Sequence, residues 1–156
     1  MMTEAALRHD GPIGRIDRLR HVLEATPLSI IQLMARVGVG AVFFKSGLTK
    51  IASWEFTIQL FRDEYRVPLL PPEIAAPLAA ATELTMPVLL VLGLATRLAT
   101  LPLLAMTLVI QLFVYPDSWA EHLTWASLLL LILTRGPGAF SADRFIAPLL
   151  FARKED

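Results

Sequence analysis

The chain has 156 residues, 55% of them hydrophobic, and a mean hydropathy of +0.59, which is above what a soluble domain of this length normally carries. Fourteen basic residues balance fourteen acidic ones, so the composition carries no electrostatic footprint for nucleic acid. Cysteine is absent, which excludes disulfides, thiolate metal sites and CxxC redox chemistry within the chain and leaves the compartment open.

Residues 1–27 lack the apolar core of a cleavable signal peptide, and none is expected. Pro12 suits a helix start, and Ile13, Ile16, Leu19, Val22 and Leu23 fall near one helical face, with Arg15, Arg18 and Arg20 mostly elsewhere. This predicts an amphipathic helix lying on the anionic cytoplasmic leaflet, a partly ordered tail being the plainer alternative. Four apolar blocks follow: Leu28–Ile51, Ile74–Leu94, Leu98–Tyr115 and Trp119–Thr134. A helix needs about 20 residues to cross a hydrocarbon core of about 30 Å. The first two blocks are long enough, the third is slightly short, and the fourth spans only if Ser118 and Arg135 lie at the interfaces. The expected fold is therefore an all-α integral membrane four-helix bundle at 28–147, between an amphipathic segment at 1–27 and a charged tail at 148–156.

Basic residues set the expected orientation. Arg8, Arg15, Arg18, Arg20, Arg97, Arg135, Arg144, Arg153 and Lys154 flank the side of the N-terminus, second loop and C-terminus, against Arg62 and Arg66 in the first loop. This positive-inside bias puts both termini in the cytoplasm. In the first outer loop Trp54, Ile58, Phe61 and Tyr65 recur on one helical face, with Ser53 as N-cap and Glu55 in the first turn. The segment breaks at Pro68, Pro71 and Pro72 and reads as a short surface helix. With Tyr115, Trp119 and Trp125 it forms an aromatic belt, better explained by interfacial anchoring than by a ligand lid.

Arg36, Glu83 and His122 sit inside the apolar blocks, where an ionisable group is a functional-site hypothesis by default. At 1.5 Å per residue Arg36 lies about 12 Å, and Glu83 about 16 Å, above the cytoplasmic end. The two are thus expected to pair, either as a structural salt bridge or as a site that binds a polar head group, passes protons or receives a quinone. Arg36, Gly40, Phe43, Gly47 and Lys50 form one stripe, expected to face inward, and its glycines permit close helix approach. Lys45 projects from the opposite face and is expected to snorkel to the outer interface. Pro87 deprives the Glu83 carbonyl of its usual partner, which suits either a site or ordinary membrane-helix architecture. Thr100, Thr107 and Gln111 share a face; helix–helix hydrogen bonding explains the threonines, and Gln111 stays open. His122 belongs near the outer surface and reads as structural, since His9 and His21 lie on the wrong side to complete a haem ligand pair. Met34, Met86 and Met106 lack paired spacing for copper, and no metal site, nucleotide loop or nucleophile–base pair is evident.

Taken in order, Arg36, Ser46-Gly47-Leu48-Thr49-Lys50-Ile51, Glu83-Leu84, Leu92-Gly93-Leu94-Ala95-Thr96-Arg97 and Gly136-Pro137-Gly138-Ala139-Phe140-Ser141-Ala142-Asp143 resemble the DoxX family of small four-helix membrane proteins, over roughly Leu33–Ile146. The charged N-terminal extension and Lys45 depart from a minimal member. The resemblance implies a bacterial-type inner-membrane location and two functional classes. One is a membrane subunit of a quinone-linked oxidoreductase, with the redox centre in a partner and a buried polar site of Arg36, Glu83, Lys50, Gln111 and His122. The other is a non-enzymatic assembly, export or scaffold component of a metal-handling or oxidative-stress system. The stretch Tyr115-Pro116-Asp117-Ser118-Trp119, with His122 and Trp125, looks most like members encoded beside machinery for metal-binding modified peptides. Catalytic residues stay unassigned. The expected associations are the lipid bilayer, a protein partner or second copy, and a quinone.

Overall fold

The computed structural model describes residues 12–151, and among them every regular element is helical. Helix α1 is Pro12–Glu24, α2 Leu28–Ala52 and α3 Trp54–Leu60, the last continued by a wide turn at Phe61–Tyr65. Then come α4 Pro72–Leu92, α5 Thr96–Val109 with a wide final turn at Ile110–Val114, α6 Trp119–Arg135 and α7 Ala142–Phe151. The basic residues Arg8, Arg153 and Lys154, and His9, lie outside the described residues. Three helical runs, Leu28–Ala52, Pro72–Leu92 and Thr96–Val114, are long and apolar enough to cross a membrane. Helix α6 fills the interval between Ser118 and Gly136 with 17 residues, about 25 Å of axial length.

Helices α2, α4, α5 and α6 form a closed ring in which α2 touches α4 and α6, and α5 touches the same two. Val39, Phe43, Leu90, Leu103, Leu129 and Ile132 make the core, with Phe43 meeting Trp125 edge to face at 5.5 Å. The expected inward stripe of α2 is observed: Arg36, Gly40, Phe43 and Gly47 are buried and Lys50 nearly so. Its glycines set the α2–α4 distance. A Cβ on Gly47 would come 2.9 Å from Leu84 Cγ and 3.0 Å from Glu83 Cβ, so any side chain there forces the helices apart.

The first-loop helix uses the expected face. Phe61 is buried against Ala75 and Ala76, while Ile58 and Tyr65 pack beside it and Trp54 stays exposed. Ser53 stands at the N-cap position but makes no capping bond through its side chain. The turn is closed instead by buried Thr57, whose hydroxyl donates to the Lys50 carbonyl at 2.9 Å.

Arg36 does not pair with Glu83. Its guanidinium donates to the carbonyls of Leu90 (2.8 Å) and Val91 at the end of α4, and to those of Pro137 (2.7 Å) and Phe140 (2.8 Å) after α6. The reason is register. Gly40 lies against Val91 and Gly47 against Leu84, so Arg36 sits two turns nearer the α4 C-terminus than Glu83. There it meets last-turn carbonyls, of which that of Leu90 also accepts from the Gly93 amide at 3.1 Å, and the negative end of the helix dipole. One turn earlier, Gln32 Nε2 donates to the carbonyls of Arg135 (3.1 Å) and Gly136 (2.9 Å). Two glycines with positive φ make the fit possible. A Cβ on Gly93 would fall 2.5 Å from Ser141 Cβ, and one on Gly138 would fall 2.7 Å from Gln32 Oε1.

Asp143 completes this clasp. Its carboxylate accepts from the Ala95 and Thr96 amides at 2.6 and 2.9 Å and from the Thr96 hydroxyl at 2.8 Å, so it caps α5 from a distance. Burial pushes its carboxyl up. The Thr96 and Ala95 hydrogen bonds and the charge of Arg36 together outweigh that and hold it below the usual carboxylate range. A depressed folded value means stability that is present above the unfolded pKa and lost as pH falls through the folded one. Asp143→Asn is expected to cost about 1 kcal/mol near neutrality, the size of a lost cap. It should also flatten the fall in melting temperature below the usual carboxylate range. A variant whose acid limb of the melting curve matches wild type would refute this.

Candidate functional site

The buried carboxylate of Glu83 finds its cation in Lys50. Lys50 Nζ donates to Glu83 Oε1 at 2.9 Å and lies 2.7 Å from Oε2, which takes the ionic contact without a directed hydrogen bond. Ser46, one turn before Lys50 on α2, joins both groups: Nζ reaches its hydroxyl at 3.0 Å, and the hydroxyl reaches Oε1 at 3.2 Å. The side chains of Lys50 and Glu83 are only 12% and 3% exposed, so the pair sits in a low-dielectric setting where each charge depends on the other. The spacing puts Ser46 and Lys50 one above the other on a helix, a signal present in the sequence but not read there as a network.

Two pockets meet at this pair. One, of about 250 Å³, is bordered by Ser46, Lys50, Glu83, Tyr65, Tyr115, Glu121, His122 and Trp125. The other, of about 320 Å³, shares Lys50, Tyr65 and Glu83 and, apart from Thr82, is otherwise apolar, with Leu78, Ala79, Pro102, Met106 and Val109 among its walls. Tyr65 therefore brings the first-loop helix into both walls, which sequence periodicity assigned only to anchoring. Its ring meets Tyr115 at 5.7 Å, and the Tyr115 hydroxyl donates to Glu64 at 2.8 Å, tying together the segments after α3 and after α5. Burial pushes the Tyr65 phenol up, so it stays a neutral hydrogen-bonding group.

His122 is 3% exposed and joins Gln111, whose amide oxygen lies 2.7 Å from Nδ1. Gln111 in turn donates to the Pro116 carbonyl at 2.7 Å. Of the five residues expected to share a polar site, Lys50, Glu83 and His122 border one pocket, Gln111 supports it from behind, and Arg36 belongs to the clasp at the other end. Thr100 and Thr107 hydrogen-bond the carbonyls of Thr96 and Leu103 on their own helix rather than a neighbour, as hydroxyls in apolar helices commonly do. Lys45 is exposed on the far face of α2 and takes no part in the pocket. His21 is likewise exposed, on α1. Among the described residues no cluster of three or more His, Asp or Glu side chains is arranged to hold a metal ion.

The DoxX family model matches residues 31–116. The chain belongs to the DoxX family. No curated protein and no solved structure matches it significantly. The DoxX match takes in Arg36, Ser46, Lys50, Glu83 and Gln111. It ends before His122 and before the Gly136–Asp143 half of the clasp.

Proposed function

We propose that this DoxX protein is the quinone-binding membrane subunit of an oxidoreductase system whose redox centre sits in a partner protein. In this reading α2, α4, α5 and α6 all cross a bacterial-type inner membrane, with both termini cytoplasmic. Several features support that topology. Arg97, Arg135 and Arg144 lie at the clasp end, beside the arginines Arg15, Arg18 and Arg20 of α1 in the chain before α2, against Arg62 and Arg66 at the other. The shortness of α6 is met by Trp119 and Arg135 at its two ends, residues that anchor at interfaces.

One observation carries the functional reading: a buried, hydrogen-bonded ion pair at the junction of a polar and an apolar pocket. A pocket of 250 Å³ is below the roughly 300–1,000 Å³ typical of sites for drug-sized ligands, but it suits a single ring. The apolar pocket beside it suits the start of a hydrocarbon tail. Lys50 is a donor for a ring carbonyl, and Glu83 is a carboxylate able to hold a proton. Reduction of a quinone to a quinol takes two electrons, supplied by the partner, and two protons, supplied by groups of this kind. The test is binding of decylubiquinone to the purified protein in lipid nanodiscs. Wild type is expected to bind, and Glu83→Gln to bind at least tenfold more weakly. Equal binding removes Glu83 from the site, and no binding by either form removes the function.

A non-enzymatic assembly role is the second reading, and α1 favours it. Ile16, Leu19 and Leu23 are exposed on that helix alongside Arg15, Arg18 and Arg20, a surface suited to a lipid leaflet or a partner. A stoichiometric partner, co-purified in native lipid without quinone binding, would select it.

A further inference from the structure

Gln111 is fixed from two sides, and that fixes the tautomer of His122. The Pro116 carbonyl can only accept, so the Gln111 amide nitrogen must face it, as it does at 2.7 Å. The Gln111 amide oxygen is left facing His122 Nδ1 at 2.7 Å. An amide oxygen also only accepts, so Nδ1 carries the hydrogen, and in the neutral ring Nε2 is the bare nitrogen. The ring packs against Trp125 at 5.1 Å with the two planes tilted by 59°, and it borders the pocket that contains Lys50 and Glu83. No described residue hydrogen-bonds Nε2.

We propose that His122, through Nε2, exchanges a proton with a ring oxygen of the quinone or quinol in this pocket, and that Gln111 is its positioning residue. This rests on the quinone reading above. In quinol oxidation one O–H proton passes to His122 Nε2 and the other to the Glu83 carboxylate. The two electrons leave to the partner's redox centre, and both C–O bonds become carbonyls; reduction runs the same transfers backwards. The titratable groups facing the ring across the pocket are Lys50 from α2, Glu83 from α4, Tyr65 from the first loop, and Tyr115 and Glu121 at its mouth. On the α5 side the ring meets the neutral amide of Gln111.

Nitrogen-15 NMR of histidine-labelled protein in nanodiscs tests this without turnover. The chain has three histidines, and His122→Gln identifies the signal that matters. Wild-type His122 is expected to show a bare Nε2 and a protonated Nδ1, and Gln111→Leu to mix the tautomers. Added decylubiquinol should shift the Nε2 resonance of His122 and leave His9 and His21 unmoved. His122→Gln should weaken decylubiquinol binding about tenfold, the size of one lost hydrogen bond. A bare Nδ1 in wild type overturns the assignment. So does quinol binding that leaves Nε2 unmoved, in which case the quinone reading survives. Failure of decylubiquinol to bind wild type overturns both, even with the predicted tautomer in place.

Discussion

Arg36→Met is expected to lower stability by about 3–5 kcal/mol, the range seen when one member of a buried charged network is removed. The four carbonyls that Arg36 satisfies belong to the end of α4 and the segment after α6. With methionine in its place the Leu90 carbonyl keeps the Gly93 amide at 3.1 Å, but those of Val91, Pro137 and Phe140 lose the guanidinium donor, and a buried group left without a donor costs about 1–3 kcal/mol before relaxation. The fifth partner is electrostatic: Asp143 loses a nearby positive charge that helps keep it ionised. Arg36→Lys should recover only part of the loss, because an ammonium has three donors and no planar fork to span carbonyls from two segments. Thermal unfolding in detergent, followed by circular dichroism, measures both variants. Melting of Arg36→Met within a degree or two of wild type would remove the clasp as a determinant of the fold.

Lys50→Met should be nearly as damaging, for a different reason. It leaves the Glu83 carboxylate, 3% exposed, with only the Ser46 hydroxyl as a hydrogen-bond partner. Breaking a buried pair this way typically costs about 3–5 kcal/mol. Glu83→Gln alone should cost less, since the amide can still accept from Lys50 and Ser46. The double variant Lys50→Met with Glu83→Gln should regain most of the stability lost by Lys50→Met, because no uncompensated charge remains. It should not regain decylubiquinone binding. That split separates an ion pair kept for a ligand from one kept for packing. Equal stability of the single and double variants would mean that the pair does not interact as described, and a double variant that binds quinone like wild type would make the pair purely structural.

Periodicity was enough to find the inward stripe of α2 and the buried face of the first-loop helix, because both depend on local spacing and on which side chains prefer to leave water. It paired the charges wrongly. The ends of the apolar blocks do not lie level with one another, and the packing register that decides the partners comes from Gly40 and Gly47 meeting Val91 and Leu84. Carbonyls at helix ends are invisible in a sequence, so Arg36 calls for a carboxylate there, whereas in the structure four backbone carbonyls from two other segments receive its guanidinium. Gln32 and Asp143 were missed for the same reason, as their partners lie 103 and 47 residues away. The tautomer of His122 was likewise unreadable until Gln111 and Pro116 were placed.

By itself the sequence determined an all-helical, DoxX-type membrane chain with polar residues in its apolar helices, since the burial of apolar surface and the cost of charge in hydrocarbon both act residue by residue. Only the tertiary structure decided that those residues divide into a backbone clasp around Arg36 at one end and a Lys50–Glu83 pocket backed by His122 and Gln111 at the other. That division depends on helix register and on carbonyls left open at helix termini, and neither exists before the helices pack.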